Sequence, residues 1–530
     1  MDEKIMKKKL YILAVVILLV FGIFLKKGCI TKKVYNESVR DYLVYSINSM
    51  PKDLLLLDDN NIRNKDLQIA LFEGLVSMDQ KGKIVPGIAS DWKISKDKLS
   101  YTFTIREDAK WNTGDKIVPQ DFVDFFSRIL KEQNNTYIHE LRCIFGVKEY
   151  IDGKRNFDEV AISSGKDNTL EIRLNYPCDD FIKILSKPVF TLKRNFYNLK
   201  NWRSEYKNID YSGPYFIENI YDDGEVSLRK NNMYWDKKNV ASNKIHIKES
   251  EVTAFTLAQY KSNRVDVFCD DNILQDEHRK NGHEYTKKII GDGVSLNFNL
   301  NKNNFVRDIK FRKAIKYFID REQIKRELGE VFKETSSYVP NSILNLTNKN
   351  YSIKSAEELL KDSKYNGEVL KFIYLKNKDK NKKIIDSIER DLKKAKVNVD
   401  IKGYNKEELK NIIYKDEYDM VLLNYSGDYT MPITYLQNWI SNSKQNSYGY
   451  KNINFDNLVL KGEVCENKLE AQNNFNKAER IFLDDIATIP LGFYNFTVCK
   501  KEYVEGLEVN SRGSVILKKA YISDKNKTSH

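Results

Sequence analysis

The chain has 530 residues, of which 41% are hydrophobic, 12% aromatic and 31% charged. This length exceeds what one hydrophobic core usually organises, so we expect two or three lobes. The aromatic content excludes a disordered chain, and the low counts of 9 Pro and 23 Gly exclude collagen-like and low-complexity classes. A mean hydropathy of -0.57 excludes a polytopic membrane protein.

The net charge of +13 is spread along the chain rather than concentrated. Even the densest basic run, residues 376–383, contains an aspartate. Spread charge of this kind is typical of a solvated surface, whereas nucleic-acid binding needs clustered Lys and Arg. We therefore predict no nucleic-acid partner, and attraction to an anionic membrane or wall polymer is the alternative.

The N-terminal residues 1–33 are predicted to be a signal or anchor segment with a tether. Lysines precede the apolar residues 10–25, as in the n-region and h-region of an export signal, and the flanking lysines also permit a retained anchor. Gly28 and Cys29 resemble the end of a lipoprotein cleavage site, from which the two preceding lysines depart. We expect a body attached to the outer face of the membrane, with Cys29 as the candidate lipidation site.

Motifs for chemistry are absent from the sequence. It contains no phosphate-binding loop, dinucleotide fingerprint or hydrolase nucleophile motif, so an enzyme is not predicted. The histidines and cysteines lack metal-type spacing, so neither a metal nor a cofactor is predicted. Export permits disulfides without requiring one. The six cysteines are Cys29, Cys143, Cys178, Cys269, Cys465 and Cys499.

The first elements of the body are predicted from periodicity. Residues 42–47 indicate a short strand, and residues 101–105 alternate with period 2, as a half-buried strand does. Pro119 suits the first turn of a helix. Further on, residues 226–229 predict a strand and residues 308–329 predict a single capped helix.

Residues 370–425 are the most informative for topology. A strand at 370–375, an amphipathic helix at 384–395 and a strand at 397–401 make a βαβ unit, whose two strands should be parallel. A helix at 407–414 and an apolar strand at 418–425 follow. This region therefore predicts an α/β fold class.

Ligands of open α/β sheets bind beyond the carboxyl ends of strands. The residues beyond the strand at 418–425 are Ser426, Gly427 and Asp428. Position alone makes Asp428 a candidate ligand-binding residue, and a cap or turn residue after a strand is the alternative.

Separate segments of the chain resemble, in family order, the family 5 extracellular solute-binding proteins, which are the receptors of peptide and nickel ABC transporters. The similar blocks are 71–76 (LFEGLV), 86–92 (PGIASDW), 101–106 (YTFTIR), 109–115 (AKWNTGD), 213–215 (GPY), 231–235 (NNMYW), 312–314 with 319–321, 427–429 (GDY) with Pro432, and 489–491 (IPL).

The resemblance implies a periplasmic-binding-protein-like type II fold, in which two α/β lobes around a hinge carry a third, extra lobe. Lobe I would be discontinuous. The implied lobes are residues 34–62 with 186–272 and 486–525 for lobe I, residues 63–185 for the extra lobe, and residues 273–485 for lobe III.

The resemblance also implies how a peptide would be held. In peptide-binding members, the Asp that matches Asp428 pairs with the free α-ammonium of the peptide. The residues before it pair with the peptide main chain, and an N-terminal stretch supplies the other rim of the cleft. In this sequence the residues before Asp428 are Tyr425, Ser426 and Gly427, and the N-terminal stretch is Ser49, Met50 and Pro51.

Together these features predict a monomeric oligopeptide receptor that serves an ABC transporter permease and performs no chemistry. The sequence departs from the family at Met431, where many members have an acidic residue, and at Tyr425, where Trp is frequent. These departures keep two alternatives open: a specialised signalling peptide, or a non-peptide ligand such as a metal chelate, haem or sugar.

Overall fold

The computed structural model describes residues 40–57, 61–132, 135–250, 253–270, 285–340, 353–376, 379–427, 431–443, 445–465 and 467–523. The elements in these residues belong to one compact unit that begins at Tyr42. None of their helices is both long and apolar enough to cross a membrane. The predicted segment 1–33, with Cys29, lies outside the described residues.

Several of the described helices begin with a proline or with a side chain that caps the first turn, such as Asn61 and Asp308. The described helices are α1 Ile62–Leu71, α2 Pro119–Ile129, α3 Val147–Ile151, α4 Phe181–Leu185, α5 Phe196–Lys200, α6 Trp202–Glu205, α7 Thr253–Lys261, α8 Ile309–Phe318, α9 Arg321–Leu328, α10 Ile353–Lys361, α11 Asp379–Lys394, α12 Lys406–Tyr414, α13 Ile433–Leu436, α14 Ile453–Val464 and α15 Lys468–Asp484.

The strands are short except for two that exceed ten residues. They are β1 Leu43–Ile47, β2 Val76–Met78, β3 Ile84–Pro86, β4 Ala89–Ile94, β5 Ser100–Ile105, β6 Ile162–Ser164, β7 Thr169–Arg173, β8 Tyr215–Ile220, β9 Val226–Lys230, β10 Lys244–Glu249, β11 Val267–Asp270, β12 Tyr285–Phe298, β13 Phe332–Glu334, β14 Leu370–Leu375, β15 Val399–Tyr404, β16 Met420–Tyr425, β17 Thr488–Lys500, β18 Val504–Glu505, β19 Glu508–Val509, β20 Val515–Ile516 and β21 Tyr521–Ile522.

The two long strands, β12 and β17, join the two ends of an eleven-stranded sheet. Its order is β15-β14-β16-β12-β17-β11-β1-β10-β9-β8, with β13 paired to β17. β12 pairs with β16 through residues 293–298, while β17 reaches β11 through residues 497–500. The register between β12 and β17 shifts between Ile289 and Gly293, and such an irregularity bends paired strands locally. A separate four-stranded sheet has the order β4-β5-β7-β6.

The predicted βαβ unit is confirmed. β14 and β15 pair in parallel on either side of α11, and β14 also pairs in parallel with β16. The helix and strand predicted after it correspond to α12 and β16. The strand predicted at 101–105 is β5, whose burial alternates along its length.

The single helix predicted at 308–329 is wrong. The segment forms two helices, α8 and α9, because Asp320 accepts a hydrogen bond from the Gln323 amide and caps a second helix. The preceding Ile319 adopts an extended backbone and is buried. Periodicity alone indicates one continuous helix here, but a capping side chain within the apolar pattern ends one helix and begins another.

A buried ionic cluster ties the start of the body to its end. Asp66 on α1 accepts hydrogen bonds from the Tyr45 hydroxyl on β1, at 2.6 Å, and from the Val515 amide on β20, at 2.8 Å. Arg63 lies 3.0 Å from the same carboxylate. Despite these partners, burial raises the pKa of Asp66 to about 6.

Candidate functional site

The carboxyl end of β16 has a strand partner on one side only among the described residues. On one side β16 pairs with β12 as far as Tyr425, opposite Gly293. On the other side its pairing with β14 ends at Leu422, opposite Tyr374. The backbone from residue 423 onward is therefore an edge to which an extended chain could add main-chain hydrogen bonds.

The ring of Tyr425 is fixed in the core rather than projected from the strand. It stacks on Tyr338 with ring centroids 4.1 Å apart, and its hydroxyl donates to the Tyr338 carbonyl at 2.9 Å. A Cβ at Gly293 would overlap the Tyr425 ring, so the glycine allows this close approach. Burial raises the pKa of Tyr425 well above its ordinary value. The side chain thus positions the segment, and its main chain is what a ligand could contact.

Side-chain hydroxyls bind the carbonyls of Gly427 and Met431, the described residues on either side of 428–430. The Tyr435 hydroxyl donates to the Gly427 carbonyl at 3.3 Å, and the Thr434 hydroxyl donates to the Met431 carbonyl at 2.7 Å. Met431 is 3% exposed and belongs to the largest apolar core. Asp428 lies outside the described residues, which end at Gly427 and resume at Met431.

We expect Gly427→Val to destabilise the protein by about 1–3 kcal/mol, since it overpacks a filled site. A Cβ at Gly427 would lie 2.8 Å from two ring carbons of Tyr435, which is buried and has little room to shift. Thermal unfolding of both proteins would measure the effect, with Ser426→Ala as the control that adds no volume to the same segment. An unchanged midpoint for Gly427→Val would contradict the close packing.

The predicted N-terminal rim follows β1. The Ser49 hydroxyl accepts a hydrogen bond from the Asn61 amide group at 2.9 Å, and the Pro51 carbonyl accepts one from the Trp202 indole at 3.2 Å. Met50 is 8% exposed and packs into the largest core. Among the described residues no hydrogen bond joins this stretch to Tyr425, Ser426 or Gly427.

A cavity of about 90 Å³ lies beside residues 431–437. Met431, Pro432 and Thr434 line it, together with the end of α14 and residues between 140 and 184. The Tyr176 hydroxyl donates to Glu463 across this junction at 3.5 Å, and burial raises the pKa of Glu463. The sequence carries no motif that singles out these lining residues.

Glu479 is a second residue that sequence reasoning missed. It is fully buried, and one of its carboxylate oxygens accepts the amides of Tyr338, at 2.6 Å, and Val339, at 2.8 Å. It therefore holds the residue on which Tyr425 stacks. Burial raises the pKa of Glu479 to about 7. Its spacing from Phe475 and Phe482 on α15 was a usable signal, because it places an acidic residue on the apolar face.

No group of three or more His, Cys, Asp or Glu side chains in the described part of the chain is arranged to hold a metal ion.

Residues 83–447 match the sequence model of the bacterial extracellular solute-binding proteins, family 5, middle region. The chain belongs to this family. The predicted family resemblance is thus confirmed for most of the body of this family 5 protein.

Curated relatives align with most of the family 5 protein. The Bacillus subtilis oligopeptide-binding protein OppA is 27% identical over 488 residues, covering 85% of this chain and 87% of the relative. The dipeptide-binding protein DppE of the same species is 25% identical over 494 residues, covering 86% and 87%.

Solved structures share its fold. The Escherichia coli murein tripeptide-binding protein MppA has a TM-score of 0.79 at 22% identity, over 91% of this chain and 98% of the other. Haemophilus influenzae OppA in complex with the peptide RPPGFSPFR has a TM-score of 0.79 at 20% identity, over 91% and 99%. The predicted α/β, periplasmic-binding-protein-like fold is confirmed.

Proposed function

We propose that this family 5 protein is an extracytoplasmic receptor that captures oligopeptides and delivers them to the permease of an ABC transporter. The observation that carries the proposal is its alignment, over 85% and 86% of its length, with an oligopeptide-binding and a dipeptide-binding protein. The family is one of solute-binding proteins, so we expect binding without chemistry.

The geometry at the end of β16 supports peptide as the ligand. The strand edge beyond Leu422, which has no β14 partner, offers main-chain groups to an extended peptide, and such pairing gives affinity without reading side chains. Tyr425, Ser426 and Gly427 would supply these contacts through their backbone, since the Tyr425 ring is used in the core.

Asp428 would then bind the peptide's α-ammonium, and Ser49, Met50 and Pro51 would form the other rim. A carboxylate in a closed cleft fixes the register of the peptide, because an unpaired ammonium there costs several kcal/mol. The Met50 side chain packs into the core, so we expect this rim to act through backbone groups.

We further propose that two lobes close on the peptide, with residues 34–62, 186–272 and 486–525 in one and residues 273–485 in the other. β12 and β17 connect strands β14 to β16 with strands β1 and β8 to β11 in the large sheet. The register shift between β12 and β17 near Gly293 supports bending at this point. The N-terminal segment would tether a monomeric body to the membrane, through a lipid on Cys29 or as an uncut anchor.

The test is to identify what the protein carries. We would purify the full chain from membranes, denature it, and analyse the released compounds by mass spectrometry. Peptides of narrow length and mixed sequence are the expected result. A single defined peptide would point to a signalling receptor, and a non-peptide compound would contradict the proposal. If nothing is released, calorimetry with a peptide library decides, and no binding across the library would also contradict it.

A further inference from the structure

Three cysteines line the cavity beside residues 431–437. Cys143 precedes α3 and Cys178 follows β7, while Cys465 directly follows α14. The cysteines are far apart in the sequence and lack a recognisable spacing, so only the fold brings them to one cavity.

The backbone holds Cys143 and Cys178 close together. Ile144 and Leu174 form an isolated β-bridge, and the Asn175 amide donates to the Cys143 carbonyl at 2.7 Å. The chain turns after this pairing and brings Cys178 back beside Cys143. Both side chains line the same cavity, and a hydrogen bond with the Cys178 thiol, together with burial, raises the pKa of the Cys143 thiol well above its ordinary value.

Hydrogen bonds on both sides fix the position of the turn. The Cys178 carbonyl accepts the Tyr101 hydroxyl at 3.4 Å and the Phe181 amide at 3.0 Å. A disulfide needs two cysteines that the backbone already holds as neighbours, and the shared cavity wall together with these backbone hydrogen bonds makes Cys143 and Cys178 such a pair.

We propose that Cys143 and Cys178 are joined by a disulfide in the exported protein. The proposal rests on export to an oxidising compartment, which is part of the proposed function. The crosslink would close a loop of about 35 residues, long enough to restrict the unfolded chain substantially. That loop contains α3, β6 and β7.

The oxidant would be the disulfide of a protein thiol–disulfide oxidoreductase. Cys178 is half-buried at the cavity, whereas Cys143 is 3% exposed, so Cys178 is the thiol that an outside protein reaches. Its thiolate attacks the oxidoreductase disulfide to form a mixed disulfide and release one enzyme thiolate. The Cys143 thiolate then attacks the Cys178 sulfur and displaces the second. Two protons pass to the reduced enzyme dithiol.

The crosslink would also fix the cavity wall. Tyr176 and Asp180, on either side of Cys178, line the cavity, and the Tyr176 hydroxyl reaches Glu463 on α14 at 3.5 Å. A disulfide at Cys178 would therefore hold the segment that contacts α14. Cys465 is on the α14 side and would remain a free thiol.

Differential alkylation tests the bond. Full-length protein from membranes would be denatured and alkylated, then reduced and alkylated with an isotopically distinct reagent. We expect Cys143 and Cys178 to carry only the second label and Cys465 the first. First label on both Cys143 and Cys178, or a peptide joining Cys178 to Cys465, would overturn the proposal. Peptide binding measured on the same preparation separates this failure from failure of the receptor function.

Stability provides the second readout. We expect reductant to lower the unfolding midpoint of the wild-type protein by about 3–8 °C. The Cys143→Ser/Cys178→Ser double variant should have the lower midpoint without reductant, and the matched Cys465→Ser variant should behave as wild type. If the double variant does not fold, the wild-type protein with and without reductant decides. A wild-type midpoint that is insensitive to reductant would overturn the crosslink.

Discussion

We expect Asp428→Ala to weaken binding of peptides with a free N-terminus by about tenfold to a thousandfold. Asp428 follows Ser426 and Gly427 directly, and the structure fixes these through β16 and the Tyr435 hydroxyl. The substitution would leave the peptide ammonium unpaired in a closed cleft, which costs more than the loss of one exposed ion pair. Isothermal calorimetry with a defined peptide measures the change.

Acetylation of the peptide gives the matched control, because it removes the ammonium from the ligand instead of the carboxylate from the protein. The acetylated peptide should bind the wild-type protein weakly, and Asp428→Ala should weaken it little further. Asp428→Asn keeps the side-chain shape and should still lose most of the affinity. Equal losses for free and acetylated peptides would assign Asp428 to the turn rather than to the ligand.

Periodicity predicted those elements whose own residues carry a clear apolar pattern. β14, α11, β15 and β16 each carry an apolar signal strong enough to be read alone, and their parallel pairing follows from chain order. The break between α8 and α9 was missed because Asp320 caps a helix inside an otherwise continuous apolar pattern.

β12 was not predicted, and the reason is physical. Its first half mixes lysines and glycines with apolar residues, whereas Val294, Leu296 and Phe298 near its end line one apolar face. Its pairing with β16 and β17 joins segments distant in sequence. Such strands are specified by their partners more than by their own residues. The same limit explains why sequence reasoning did not assemble the cavity around Cys143, Cys178 and Glu463.

The candidate site also has a part that the sequence predicts and a part that it does not. Position after a strand end was enough to place Ser426 and Gly427 at the end of β16. The use of the Tyr425 ring in the core was not predictable, because it depends on Tyr338 and on the space left by Gly293. Asp428 stays a prediction.

We expect the pH dependence of stability to report on Glu479. Burial raises the pKa of Glu479 from its usual 4.5 to about 7. A carboxyl whose folded-state pKa is raised contributes stability that is fully present below pH 4.5 and is lost as the pH rises through 7. The shift corresponds to about 3 kcal/mol between these pH values.

Glu479→Gln should remove the part of this dependence that Glu479 contributes. Glutamine keeps an oxygen that accepts the Tyr338 and Val339 amides but carries no charge, so the variant should match wild type near pH 4.5 and exceed its stability at pH 8 by up to about 3 kcal/mol. Unfolding calorimetry at both pH values checks it. The control is Glu470→Gln, an exposed position on the same helix, which should keep the wild-type pH dependence.

Glu479→Leu distinguishes the effect of the hydrogen bonds on stability from the effect of the charge. Leucine removes the acceptor and leaves two buried amides unpaired, so we expect destabilisation of about 2–4 kcal/mol at pH 4.5, where the wild-type carboxyl is neutral. Because Tyr338 supports the ring of Tyr425, the same variant should also weaken peptide binding, whereas Glu479→Gln should not. Equal stability of the leucine and glutamine variants at pH 4.5 would show that the amides need no acceptor at this position, and Glu479 would then not position the end of β16.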